Sequence, residues 1–212
     1  MNEGAVTQGT VTQQMQDPVL VAIDGPAGSG KSSVSREAAE RLGYGILDTG
    51  AAYRALAWAA LQTETDLDDE AALLDLLRSW RYDITLRGAQ RVTVVLPGQA
   101  EARDVTAAIR APELSAQVSR VSKHLRVREG LNAMFRLIVA DSGLPGVVIE
   151  GRDITTVVAP DAPVRLIMTA SPEVRASRRA GERRRHRRAR REGRTGGRLL
   201  HPGSGGRADR HE

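Results

Sequence analysis

The chain has 212 residues, 41% of them apolar and 3% aromatic, so it can bury a sizeable core, but an aliphatic one. It has no cysteine, which excludes disulfides and thiolate metal sites, and no apolar run of eighteen residues, so no membrane span is expected. The net charge of +5 is local: thirteen Arg and four acidic residues lie from Arg178 onward, against eighteen basic and twenty-two acidic residues before it.

Residues 1–17 are polar, without a basic or apolar signal region, and read as a disordered leader on a cytoplasmic chain. Val19–Ile23 is a continuous apolar run, suited to a strand buried on both faces. Val34, Ala38, Ala39 and Leu42 follow at helical spacing, and Gly43 ends that helix. Ile46–Leu47 suggests a second strand; Ala52, Leu56, Ala59 and Ala60 suggest a second helix. This βαβα order predicts a parallel sheet.

Residues 66–110 change character. Leu73, Leu74, Leu76 and Leu77 fit a short helix. Trp80–Leu86 and Arg91–Leu96 alternate around a turn at 87–90, which predicts an inserted antiparallel hairpin. Residues 112–140 are helical again, with a break near His124. Val147–Ile149 and Val164–Met168 read as two further core strands, and Ser171-Pro172 opens another helix. From residue 183 the pattern stops in an arginine-, glycine- and proline-rich stretch.

Gly25-Pro26-Ala27-Gly28-Ser29-Gly30-Lys31-Ser32 fits G-x-x-x-x-G-K-[ST], between a predicted strand and a predicted helix. Glycines let successive backbone N–H groups face one anion, and the helix N-terminus adds its dipole. Lys31 can reach the β- and γ-phosphates, and Ser32, with Ser33 behind it, offers a hydroxyl for Mg²⁺. Such a cradle does not by itself name a reaction; GTPases, ATPases and small-molecule kinases all have one.

Partner segments narrow the choice. Leu47-Asp-Thr-Gly-Ala-Ala-Tyr-Arg54 follows Lys31 closely. Glu150-Gly-Arg-Asp153-Ile-Thr-Thr-Val-Val-Ala-Pro-Asp-Ala-Pro163 comes much later, and Ser119–Arg128 lies between them. Together with IDGPAGSGKSS these segments resemble bacterial cytidylate kinase over about residues 19–180. The resemblance implies a P-loop NTPase-type α/β fold: a parallel sheet flanked by helices, with an inserted monophosphate-binding subdomain at about 66–110. It also implies a nucleoside-monophosphate kinase that moves the γ-phosphoryl of ATP to CMP or dCMP, with Mg²⁺. By the same resemblance Thr49 lies near the acceptor, and Arg54 and Arg152 hold its phosphate. Asp153 binds the sugar, Ser119 and Arg128 read the cytosine edge, and Arg175, Arg178 and Arg179 begin a lid over ATP.

The chemistry agrees with those residue types. A phosphate acceptor is already mostly dianionic at neutral pH, so the reaction needs charge cancellation and alignment rather than a base. Arginine forks two oxygens and keeps its charge. Blander readings compete. Arg54 could be a solvated surface residue, Arg152-Asp153 a local ion pair, Tyr53 packing, and Asp24 structural. Glu150 could hold a metal-bound water or cap its loop. Asp153 follows a strand's carboxyl end, where open α/β sheets bind ligands.

Three departures from the family stand out. Thr155 replaces a usual Gly and is expected to crowd its loop, and Leu125 replaces a usual Pro. The arginine-rich run replaces a segment that leads to a last core strand and helix. Residues 18–180 are thus expected to form the kinase domain without that strand and helix. Residues 181–212 would be an aberrant, disordered tail, as if read in a shifted frame. The chain is expected to be a monomer acting on CMP and dCMP, with no specific nucleic-acid partner, and to be destabilised. A catalytically impaired nucleotide-binding protein, another small-molecule kinase of this fold, and an arginine-tail nucleic-acid binder are the alternatives.

Overall fold

The computed structural model describes residues 17–178, 180, 181 and 184. The rest of the arginine-rich stretch, Arg179 and the leader up to residue 16 lie outside the described residues. Among the described residues no helix is long and apolar enough to cross a membrane.

Strands β1 (Val19–Asp24), β2 (Gly45–Asp48), β6 (Gly146–Gly151) and β7 (Val164–Ile167) form one parallel sheet in the order β2-β6-β1-β7. The apolar runs read from the sequence account for it. All six residues of β6 are buried, as a strand covered on both faces requires. Helices α1 (Lys31–Leu42) and α2 (Thr49–Gln62) follow β1 and β2. The α2 face is nearly all alanine, with Ala51, Ala52, Ala55, Ala59 and Ala60 inaccessible around Leu56. Small side chains let this helix approach closely within the main aliphatic core, and Phe135 is the only phenylalanine of the chain. A smaller cluster, Val21, Ile23, Ala39, Ile46 and Val148, packs separately.

The insert contains α3 (Glu70–Ser79) and an antiparallel sheet of β3 (Arg81–Ile84), β4 (Val92–Val95) and β5 (Arg103–Asp104). Asp69 caps α3 by accepting from the Ala71 and Ala72 amides. Short α4 (Pro112–Ser115) and α5 (Val118–Ser122) lead to the long α6 (Leu125–Ala140). The break falls at His124, whose extended backbone precedes α6 and whose Nε2 lies 3.0 Å from the Leu67 carbonyl. Leu125 takes the first position of α6 and is 64% exposed. That position suits proline, so its replacement by leucine removes no contact.

One expectation of burial fails. Val34 and Leu42 are exposed; of the four spaced residues α1 buries only Ala39, with Ser35 one turn before it. The periodicity locates a helix but misplaces its buried face by about one residue, because Ser35 is polar and hidden. Strand β7 is present but not covered, in line with the expected lack of a last core strand and helix. Val164, Leu166 and Ile167 are 41%, 47% and 75% exposed, and among the described residues no further strand pairs with it. Parallel sheets are ordinarily covered on both faces, so this edge is incomplete in the described part of the chain.

Candidate active site

The cradle lies at the carboxyl end of β1. Gly28 and Gly30 have φ of 81° and 97°, the left-handed region that glycine enters at least cost. Gly30 precedes α1 without any side-chain cap; the Ser33 and Val34 amides bond its carbonyl, which leaves the Lys31 and Ser32 amides for another acceptor. Arg178, on a helical segment spanning residues 172–178, donates from Nη1 to the carbonyls of Ser29 (2.8 Å) and Gly28 (3.3 Å). Arg175 passes beside the same turn: a Cβ on Gly28 would come within 2.8 Å of its carbonyl oxygen.

Beside the cradle is a cleft of about 560 Å³. Ala27, Lys31 and Ser32 line its cradle side. Thr49, Tyr53 and Arg54 enter from α2, and Ser119 and Arg128 from α5 and α6. Glu150, Arg152 and Asp153 enter from the end of β6 and the loop after it. Four cations from four separate stretches, Lys31, Arg54, Arg128 and Arg152, thus share one concavity. The other candidates lie off the cleft wall: Gly25, Pro26, Gly28, Ser29, Gly30 and Ser33 belong to the cradle and the first turn of α1. No residue of 66–110 lines the cleft.

Direct bonds set its internal geometry. Ser32 Oγ donates to Glu150 Oε2 at 2.9 Å, tying the cradle to the end of β6. Thr49 Oγ1 donates to the Glu150 carbonyl at 2.9 Å, and a Cβ on Gly151 would overlap that hydroxyl. Glu150 is buried, which raises its carboxyl above the usual range. Neighbouring Asp48 adds to the rise, while Ser32, Lys31 and Arg54 oppose it. Arg128 Nη2 pairs with Asp153 Oδ2 at 2.7 Å. Tyr53 packs its ring 6.4 Å from that of Phe135 and also lines the cleft. Burial pushes its phenol up, with Arg128 pulling the other way.

Asp48 and Asn132 are among the cleft residues that the sequence reading did not single out. Asp48, the last residue of β2, caps α2 through the Ala51 amide (3.1 Å) and pairs with Arg54 Nη2 (2.8 Å). An aspartate between a strand and a helix reads as a cap, and its second oxygen gives no sequence signal. Asn132 is buried on α6 and lines the cleft. A polar residue beside Leu131, inside an apolar face, was the available signal.

Thr155 does not crowd its loop. Among the described residues the left-handed backbone there belongs to Asp153 (φ 56°), so a side chain at 155 is tolerated. Its hydroxyl is used by Asp24, the residue that precedes the cradle.

Comparison with known proteins agrees with this geometry. The sequence model of the cytidylate kinase family matches residues 21–193. The chain is 44% identical over 168 residues to the cytidylate kinase of Geobacillus sp. (strain WCH70), an alignment covering 79% of this chain and 71% of that protein. It is 46% identical over 159 residues to the cytidylate kinase of Shouchella clausii (strain KSM-K16), covering 75% and 67%. It is 45% identical over 163 residues to the bifunctional pantoate ligase/cytidylate kinase of Prochlorococcus marinus (strain MIT 9313), covering 76% of this chain. The aligned region spans 30% of that longer protein. A cradle and four converging cations, carried on a sequence that the family model spans over most of its length, lead to one conclusion: the chain belongs to the cytidylate kinase family of nucleoside-monophosphate kinases.

Proposed function

We propose that the chain transfers the γ-phosphoryl group of ATP to CMP or dCMP, giving ADP and the pyrimidine diphosphate. The observation that carries this reading is the convergence of Lys31, Arg54 and Arg152 on one cleft beside the cradle. The cradle amides and Lys31 bind the donor's phosphates, and Arg54 and Arg152 hold the acceptor's phosphate against them. Cancelling charge between two polyanions lets the reacting oxygens come into line. No residue has to remove a proton, because the acceptor phosphate is largely dianionic at neutral pH. Arg54 starts from a pair with Asp48 and turns part of its fork to the incoming phosphate. Arg128 and Asp153 hold the nucleoside end, with Ser119 beside them.

The residues fit a magnesium ion. Ser32 Oγ and Glu150 Oε2 are hard oxygens 2.9 Å apart, at the edge of the cradle and on the cleft wall. Mg²⁺ typically takes one or two protein oxygens and completes its shell with phosphates and water. Ser32 and Glu150 would hold it there, and it would supply positive charge to the transferring phosphates. Residues 66–110 serve as the acceptor-side lobe, supporting the cleft from behind. The chain acts on small molecules as a cytoplasmic monomer, which sedimentation tests.

ADP formation with CMP, dCMP, UMP, AMP and shikimate tests the reaction. CMP and dCMP should give the highest kcat/KM; a preference for AMP or shikimate overturns the reading. A second reading, a nucleotide-binding protein with little turnover, is favoured by one observation: the exposed apolar face of β7 leaves the sheet incomplete beside the cradle. ATP binding without turnover of any acceptor would select it.

A further inference from the structure

We propose that Asp24 and Thr155 are positioning residues that hold the acceptor-side loop in register with the phosphate cradle. Asp24 is the last residue of β1 and immediately precedes Gly25. Its backbone is fixed in the sheet between Gly151 of β6 and Ile167 of β7, and its carbonyl accepts from the Met168 amide at 2.8 Å. Its carboxylate reaches a segment about 130 residues away in sequence. Oδ1 accepts from the Ile154 amide at 2.7 Å, and Oδ2 accepts from the Thr155 amide at 3.0 Å and the Thr155 hydroxyl at 2.5 Å.

Those three donors open a single π-helical turn, Ile154–Val158, directly after Arg152 and Asp153. Asp153 has a left-handed backbone, which disfavours a non-glycine residue and persists only when its surroundings hold it. Bonds on the next two amides supply that hold. The far end of the turn is fixed as well, because Arg136 donates to the carbonyls of Val157 (2.9 Å) and Val158 (3.2 Å). One carboxylate therefore stands between the loop that would carry the donor's phosphates and the loop that presents Arg152 and Asp153. Neither Asp24 nor Thr155 lines the cleft, so their effect is transmitted through the backbone. The inference rests on the proposed reaction, in which the two loops must hold their partners in line.

Thr155→Val keeps shape and removes the hydroxyl; Thr155→Ser keeps the hydroxyl. The valine variant should lose about tenfold in kcat and raise KM for CMP, with KM for ATP unchanged, since misplacement of about 1 Å can cost about a hundredfold. The serine variant should stay within about twofold of the parent. A second arm follows amide exchange of residues 153–158 with a non-hydrolysable ATP analogue. The analogue should slow exchange in the parent and the serine variant but not in the valine variant. Equal kinetics in the valine and serine variants, or slowing by the analogue in all three, overturns the inference. Absence of CMP turnover in the parent counts against the proposed reaction instead, and the exchange arm then decides this inference alone.

Discussion

Replacing Asp48 tests how the acceptor wall is held, because its two oxygens serve two separable purposes. Oδ1 caps α2 and Oδ2 pairs with Arg54, at side-chain exposures of 26% for Arg54 and 23% for Asp48. Asp48→Ala removes both. Loss of the cap costs about 1 kcal/mol. A pair this sheltered contributes about 1 kcal/mol, the upper end of the exposed range. Arg54 Nε is already buried without a partner among the described residues, and stranding the rest of the fork costs about 1 kcal/mol more. The total is about 3 kcal/mol. Asp48→Asn keeps an amide oxygen as cap and as a neutral acceptor, so it should cost about 1 kcal/mol. Urea unfolding of the ligand-free variants at one salt concentration reads both values. The asparagine variant should also raise KM for CMP, because Arg54 loses its charged anchor. Equal destabilisation by Asn and Ala, or less than about 0.5 kcal/mol for both, would refute this division of roles.

Glu150→Gln should abolish turnover while changing the pH dependence of stability. Burial and Asp48 raise the carboxyl above its ordinary 4.5, so the folded state holds that proton more tightly than the unfolded chain does. The favourable contribution of Glu150 is therefore complete below pH 4.5 and is lost as pH rises through the raised value. The stability of the glutamine variant relative to the parent should increase from pH 4 to pH 7; a decrease contradicts the assignment. Tyr82→Phe removes a buried hydroxyl that has no partner among the described residues, and should leave the protein as stable or up to about 1 kcal/mol more so. A loss above about 1 kcal/mol would mean that the hydroxyl is bonded. Ile167→Lys, on the exposed edge strand, should change stability by less than about 0.5 kcal/mol and slow aggregation on storage. Faster aggregation would show that this face is covered in solution.

How much of this was legible depended on the range of the interaction. The cradle is read locally, because a backbone nest needs only glycines, a lysine and a hydroxyl within eight residues. The four core strands were legible as apolar runs, and the hairpin as alternation around a turn. Thr49, Arg54, Arg128, Arg152 and Asp153 were found through their resemblance to a family, since an isolated arginine carries no such signal. Burial was read less well. Of the helically spaced Val34, Ala38, Ala39 and Leu42, only Ala39 is buried, and the polar Ser35 joins it. The uncovered edge of β7 was legible, because no apolar run after residue 180 could supply the last strand and helix. Asp48 and Asn132 were not singled out, and the bond from Thr155 to Asp24 was missed because its two ends lie far apart in sequence.

The central claim is that donor and acceptor phosphates meet in one cleft, between the cradle and the arginines. A ligand that joins adenosine to cytidine through five phosphates tests it most directly, by calorimetric titration against the parent and against Lys31→Met and Arg54→Ala. The account predicts binding at least about a hundredfold tighter than ATP or CMP alone, because the second contact becomes intramolecular, and weaker binding in each variant. Binding no tighter than ATP, or indifference to Arg54→Ala, would contradict it.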